Sequence, residues 1–218
     1  MVYYFTSSVV DPPGFIYVGK DKFENEDLIK YGWEEDIWFH VDKLSSAHIY
    51  LRTNTAENEP PQAWDSLPEA LITDLAQLTK ANSIEGNKKD NITVIYTPWS
   101  NLKKDGSMDV GQVSFKDPRK VKRVLVPARE NAIVNRLNKT KVEKKPDLKQ
   151  EKDDRLKELR RRDVEAMALR RKEEAKQAQE WKEKKWQKDH AYDDIFTEEN
   201  MASSSNQDRD MNWEDDFM

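Results

Sequence analysis

The stretch DIWFHVDKLSSAHIYLR, residues 36–52, sets two aromatic rings, two histidines and an arginine at alternating positions. Read with the period of two of a strand, Asp36, Trp38, His40 and Asp42 share one face, opposite Ile37, Phe39 and Val41. In the next run Ser46, His48, Tyr50 and Arg52 share a face, opposite Ala47, Ile49 and Leu51. If the short KLSS link joins paired strands, Trp38, His40, His48, Tyr50 and Arg52 meet on one side of a sheet. Such a face suits unpaired bases: rings stack on them, at about 1–3 kcal/mol per base, and arginine adds phosphate or cation–π contact. That reading requires the rings to be at least partly exposed. The competing reading makes Trp38 and Tyr50 a second core layer, as befits a residue type that is largely buried, with both histidines satisfied by hydrogen bonds. A metal on His40 and His48 would need Asp36 or Asp42 as third ligand, and no metal site is expected.

The loop TPWSNLKKDGSMDVGQV adds Trp99 beside Lys103 and Lys104. An aromatic next to two cations can hold base and phosphate together; a solvated hairpin loop is the alternative. VGKDK offers Lys20 and Lys22 but lacks the further glycines of a phosphate loop. The carboxylates are plentiful and unpatterned, and no nucleophile stands at a fixed offset from a base. The chain therefore reads as a non-enzyme with no cofactor.

The third group of candidates is electrostatic. Residues 1–118 carry 11 Lys/Arg against 19 Asp/Glu, residues 119–189 carry 25 against 14, and residues 190–218 carry 1 against 9. An acidic head, a basic arm and an acidic tail follow, hidden under a net charge of −5. In RLKELRRRDVEAMALRRKEE, residues 155–174, Arg160, Arg161, Arg162, Arg170, Arg171 and Lys172 are candidate phosphate contacts, which predicts binding that weakens steeply with salt. A solvated helix whose acids and bases neutralise one another is the alternative. Trp181 and Trp186, five apart, are about 140° apart on a helix and cannot form one stripe. The arm lacks the continuous apolar face of a membrane-surface helix.

The elements that must position these groups can be read from pattern. VYYFTSS and GFIYVG, separated by DPPG, predict a hairpin. NEDLIKYG predicts a short helix capped by Asn25 and ended at Gly32. DIWFHVD and SAHIYLR predict strands, and ENEPPQAWD a polar loop. DSLPEALITDLAQLTKANS predicts an amphipathic helix, capped by Asp65 or Ser66, with Leu71, Leu75 and Leu78 on its buried face. NITVIYTPW, GQVSF and KVKRVLV predict further strands. The sum is an α+β fold with a small, mostly antiparallel sheet and packed helices. PARENAIVNRLNKTK predicts a helix whose Ile133, Val134 and Leu137 dock on the head. From Asp147 to about Ala191 no Gly or Pro intervenes, which predicts a long charged helix laced by i,i+4 pairs such as Glu158–Arg162. A weak or partner-dependent coiled coil is the alternative, since Leu156, Leu159 and Met167 begin an apolar seam that Arg171 and Glu174 interrupt. The expected divisions are a domain over 1–126, a basic helical arm over 127–191 and a disordered acidic tail over 192–218.

VGKDKFENEDLI (18–29), EDIWFHV (35–41), SAHIYLR (46–52), ANS (81–83), VIYTPWSNLKK (94–104) and DVGQVSF (109–115) together resemble the NFACT-R domain, a module also found in ribosome-quality-control proteins that act on stalled large subunits. Where many relatives carry Gly-Ser-His, this chain has Ser46-Ala47-His48. The resemblance implies an α+β fold, no known catalysis and nucleic-acid binding, chiefly of RNA in translation contexts. The expected partners are thus nucleic acid, with RNA favoured over DNA, and a ribosome or a helical protein partner. A protein-interaction adaptor working through the arm, or a DNA-binding protein at a membrane surface, are the alternative functions.

The bulk composition agrees. A hydrophobic share of 36% in 218 residues is below the roughly 45–50% of compact chains, so part of the chain must be solvated. With no cysteine, disulfides, thiol nucleophiles and thiolate metal sites are excluded, and a reducing compartment is the expectation. Neither a signal peptide nor a membrane span is read from the apolar runs, so the expected location is cytoplasmic, with nuclear or membrane-peripheral placement left open.

Overall fold

The computed structural model describes residues 1–52, 63–191 and 201. It divides into a compact unit, Met1–Leu156, and a second unit beginning at Lys157.

The fold is α+β. Strands β1 (Val2–Ser7) and β2 (Gly14–Gly19) form the expected hairpin, followed by helix α1 (Lys22–Tyr31). Strands β3 (Ile37–Val41) and β4 (Ile49–Arg52), helix α2 (Glu69–Ala81) and strand β5 (Ile92–Pro98) come next. A small hairpin, β6 (Leu102–Lys103) and β7 (Ser114–Phe115), stands apart from the main sheet. Then come β8 (Lys122–Val126), α3 (Asn131–Lys139), β9 (Val142–Lys144) and α4 (Leu148–Asp189). The main sheet has seven strands in the order β8-β5-β3-β4-β2-β1-β9, all paired antiparallel.

Both sheet faces are covered. On one, Phe5, Ile16, Ile37, Phe39, Val41, Ile49 and Leu51 pack against Leu71, Leu75 and Leu78 of α2 and Leu137 of α3. On the other, Val2, Tyr17, Trp38, Tyr50 and Ile95 pack against Leu28 of α1 and Leu102 of β6, with Phe115 and Leu148 partly buried beside them. The alternation within each strand thus feeds two cores rather than a core and a wet face.

Three local expectations are corrected. Helix α1 is capped by Asp21, whose carboxylate accepts from the backbone N–H of Phe23 (2.9 Å) and Glu24 (3.0 Å); Asn25 lies inside the helix, and Gly32 does end it. Helix α2 starts after Pro68 with no side-chain cap from Asp65 or Ser66, because Pro68 itself holds the cap position and leaves them three and two residues upstream of it. The boundary expected at Val126 falls inside the compact unit. Val134 and Leu137 of α3 are buried, and the Gln77 side-chain amide donates to Ala128 O at 2.9 Å. Arg136 meets Asp74 at 2.6 Å, and β9 extends the sheet beside β1. The polar loop expected over 57–65 lies largely outside the described residues, as does the tail over 192–218 apart from Met201.

Candidate nucleic-acid interface

β3 and β4 pair with Trp38 opposite Tyr50, so the five residues of the opening stretch do converge. Tyr17 of β2 stacks on Tyr50 with ring centroids 4.9 Å apart, and His40 stacks on Trp38 at 5.3 Å. The expected exposure is corrected, however. Trp38 is 2% exposed, Tyr50 0% and His48 4%. The layer built by α1, the β6–β7 hairpin and the first turn of α4 closes over them, with Phe115 edge-on to Trp38 at 5.7 Å. Sealed rings cannot receive a base, so this face is core.

The Tyr50 hydroxyl is buried without a partner, whereas the indole and imidazole nitrogens are used internally. The Trp38 indole N–H donates to His48 Nδ1 at 2.9 Å, which places the proton of a neutral imidazole on Nε2. Burial and then the neighbouring His40 push the His48 pKa down to about 3, so the ring is neutral at physiological pH. Burial likewise lowers His40, opposed by backbone contacts at Val41 and Ser46 and by Asp42. Among the described residues no three His, Asp or Glu side chains gather as a metal site.

Arg52 is also committed. Its guanidinium grips the fully buried Asp36 through Nε–Oδ1 (3.0 Å) and Nη2–Oδ2 (3.1 Å) and lies 3.5 Å from the Trp33 ring centroid. Burial works against that charge, and the Asp36 carboxylate outweighs it, holding Arg52 above its ordinary range. The same carboxylate accepts from Tyr17 OH at 2.5 Å and Trp33 N at 2.9 Å. Arg155, in α4 within the same compact unit, meets Glu35 at 2.6 Å and approaches Trp33 at 5.1 Å. This cluster ties the start of α4 to the sheet.

The second candidate group behaves similarly. Trp99 is half-buried under Lys152, whose ammonium is 4.4 Å from the ring centroid, and its indole N–H is buried without a partner. Gly32 is required here, because a Cβ at that position would collide with the Trp99 indole. Lys104 spends its ammonium on Glu26 (2.7 Å), Asp109 O (2.7 Å) and Gln112 O (3.0 Å). It thereby clamps the β6–β7 hairpin onto α1. Burial alone would raise the Glu26 pKa; the Gly111 N–H and Lys104 outweigh it and hold the carboxyl below its usual value. Lys103 is exposed and pairs with Asp105 at 3.1 Å.

The arm candidates all lie on α4. Arg160, Arg161, Arg170, Arg171 and Lys172 are exposed, and Arg162 is intermediate. Three are engaged in i,i+4 ion pairs, Arg161 with Glu165 (3.7 Å), Arg162 with Glu158 (2.5 Å) and Arg170 with Glu174 (3.0 Å). Arg160, Arg171 and Lys172 have no acidic partner among the described residues.

Two basic groups went unremarked as sites in the sequence, and both lie at sheet edges. At the β8 edge Arg119, Lys120 and Arg123 are exposed; at the β9 edge Lys139, Lys141, Lys144 and Lys145 are. Lys141 sits 3.7 Å from the Tyr3 ring centroid. The charge runs PRKVKR and KTKVEKK were the available signal. Lys and Arg on edge strands also discourage pairing with other chains, a role that fits Arg123 on β8 and Lys144 on β9.

The model of the NFACT protein RNA binding domain matches residues 1–117. The chain belongs to this family. It is 50% identical over 222 residues to coiled-coil domain-containing protein 25 of Bos taurus, covering 100% of both chains. It is 58% identical over 160 residues to the Danio rerio protein of that name, covering 73% of this chain and 75% of the relative. Protein JLP2 of Saccharomyces cerevisiae is 44% identical over 147 residues, covering 66% and 69%. The NFACT family description supports nucleic-acid binding as the coarse function. The matched residues end between the β6–β7 hairpin and β8, so β8, α3, β9 and α4 lie beyond the family module.

Proposed function

We propose that this chain is a non-catalytic RNA-binding protein of translation-associated complexes that holds its ligand through exposed cations rather than through stacked rings. The observation that carries the reading is the match of residues 1–117 to an RNA-binding family. The distribution of charge supports it: the aromatic face is sealed, while cations without acidic partners remain on α4 and further lysines and arginines line both sheet edges. Phosphate contacts of that kind fix position without reading sequence, and their affinity is set by counterion release. The test is fluorescence anisotropy of the full chain with labelled RNA and DNA oligomers of equal sequence, from about 50 to about 200 mM salt. RNA should bind with a steep salt dependence and in preference to DNA. Absence of RNA binding at the lowest salt would overturn the proposal, and tighter DNA binding would replace RNA by DNA. A protein-interaction adaptor is the second reading, favoured by Val164, Met167 and Leu169, which are 67%, 65% and 60% exposed on α4.

A further inference from the structure

The part of α4 from Lys157 onward is a continuous helix with no buried residue, so its surface chemistry follows from helical geometry. At 100° per residue, Lys157, Arg160, Arg161, Arg171, Lys172, Lys182 and Lys185 fall within an arc of about 140°. Every acid between Lys157 and Lys188, from Glu158 to Glu183, falls outside that arc. The rest of the arc is uncharged, with small or slender residues such as Val164, Ala168, Ala175 and Ala178, and with Trp186 near its end. Two of the three i,i+4 ion pairs of Arg161, Arg162 and Arg170 lie off this face. Arg162 and Arg170, outside the arc, are closed onto Glu158 and Glu174. Arg160, Arg171, Lys172 and Lys182, inside it, have no acidic partner among the described residues. Arg161, near the rim, reaches Glu165 only at 3.7 Å.

We infer that this acid-free face of α4, and not the circumference of the helix, is the surface that contacts the phosphate backbone of RNA. The inference rests on the RNA-binding reading and adds to it which cations bind. Charge complementarity selects the occupant. A second copy would set cation against cation, and a coiled-coil partner needs apolar side chains at every a and d position, where this face interposes arginines and lysines. A bilayer surface needs a continuous apolar stripe, which alanines broken by cations do not make. A phosphodiester chain needs only the cations, and the small residues between them let it approach the helix axis. The cations fall into three groups along the axis, Lys157 to Arg161, Arg171 with Lys172, and Lys182 to Lys185, with centres about 18 Å apart over a run of about 42 Å. That spacing distributes the contact along an extended strand rather than concentrating it at one phosphate.

Two full-length variants of equal charge change test it. One carries R160Q, R171Q and K182Q on the face; the other carries R162Q, R170Q and K184Q off it. Binding of an oligouridine RNA of about 20 nucleotides is measured between about 50 and about 200 mM salt, with far-UV circular dichroism to compare helix content. The face variant should bind about tenfold or more weakly, and its log–log salt slope should flatten by about 2, from three lost contacts at about 0.7 each on a single strand. The off-face variant should stay within about twofold of the unmodified chain, since its arginines are already paired. A charge-preserving variant, R160K with R171K and K182R, should bind like the unmodified chain, separating loss of contact from loss of helix. Equal weakening by the two triple variants, or greater weakening off the face, would overturn the inference while leaving RNA binding intact. No binding by the unmodified chain would overturn the RNA reading itself.

Discussion

Replacing Trp38 by alanine decides whether its ring is core or interface. The ring is 2% exposed, packed by Phe115 at 5.7 Å and His40 at 5.3 Å, and its N–H satisfies His48 Nδ1 at 2.9 Å. Deleting a buried Trp or Phe side chain costs about 3–5 kcal/mol through lost transfer energy and the residual cavity. An orphaned buried acceptor costs about 1–3 kcal/mol, though water entering the cavity would return part of that, so about 4 kcal/mol is expected. Against a domain stability of about 5–15 kcal/mol this is a large fraction. Equilibrium urea unfolding followed by circular dichroism should show the midpoint lowered by about 2 M for a denaturant slope of about 2 kcal/mol per molar. Trp38→Phe keeps a six-membered ring but removes the donor and the five-membered part of the indole, so it should destabilise less than the alanine change, by about 1–3 kcal/mol. RNA affinity of the folded fraction should be unchanged in both. If Trp38→Ala leaves stability within about 0.5 kcal/mol of the unmodified chain while RNA affinity falls, the ring serves a binding surface and the reasoning from burial is wrong.

Two other outcomes are expected. His48 is held neutral with a pKa of about 3, whereas in the unfolded chain it titrates near 6.5, so between these values the unfolded state binds more protons. Its contribution is therefore complete above about pH 6.5 and falls as the pH drops, by about 2 kcal/mol at pH 5; unfolding free energies at pH 7 and 5 should show this, with a flatter dependence in His48→Asn. A chain ending at Leu156 should unfold cooperatively, whereas one ending at Val126 loses the buried Val134 and Leu137 and with them about 3–6 kcal/mol; calorimetry of both would refute the Met1–Leu156 unit if the shorter chain were equally stable.

Much of the fold was legible in the sequence, because period-two and helical patterns record which side of a single element is apolar. The hairpin of β1 and β2, the pairing of β3 with β4, the Leu71, Leu75 and Leu78 face of α2 and the unbroken α4 all follow from such local patterns. So does the convergence of Trp38, His40, His48, Tyr50 and Arg52, since alternation and a short link limit which side chains can be neighbours. Family membership was legible too, carried by motifs rather than by energetics. Exposure was not. Whether a sheet face is wet depends on elements distant in sequence, and here Leu28, Leu102, Phe115 and Leu148 bring a second layer over the rings. Alternation cannot separate an aromatic face awaiting bases from one awaiting a second core, because both use the same residues. The same limit applied to charge. Lys104 and Arg52 read as free cations, but the tertiary structure set Glu26 and Asp36 beside them. Beyond Lys157 the acidic partners of Arg161, Arg162 and Arg170 are local, one helical turn away, and there the i,i+4 spacing in the sequence points to them. Sequence alone determined which elements form and which side chains each turns the same way; tertiary packing decided which of them water, and hence a ligand, can reach.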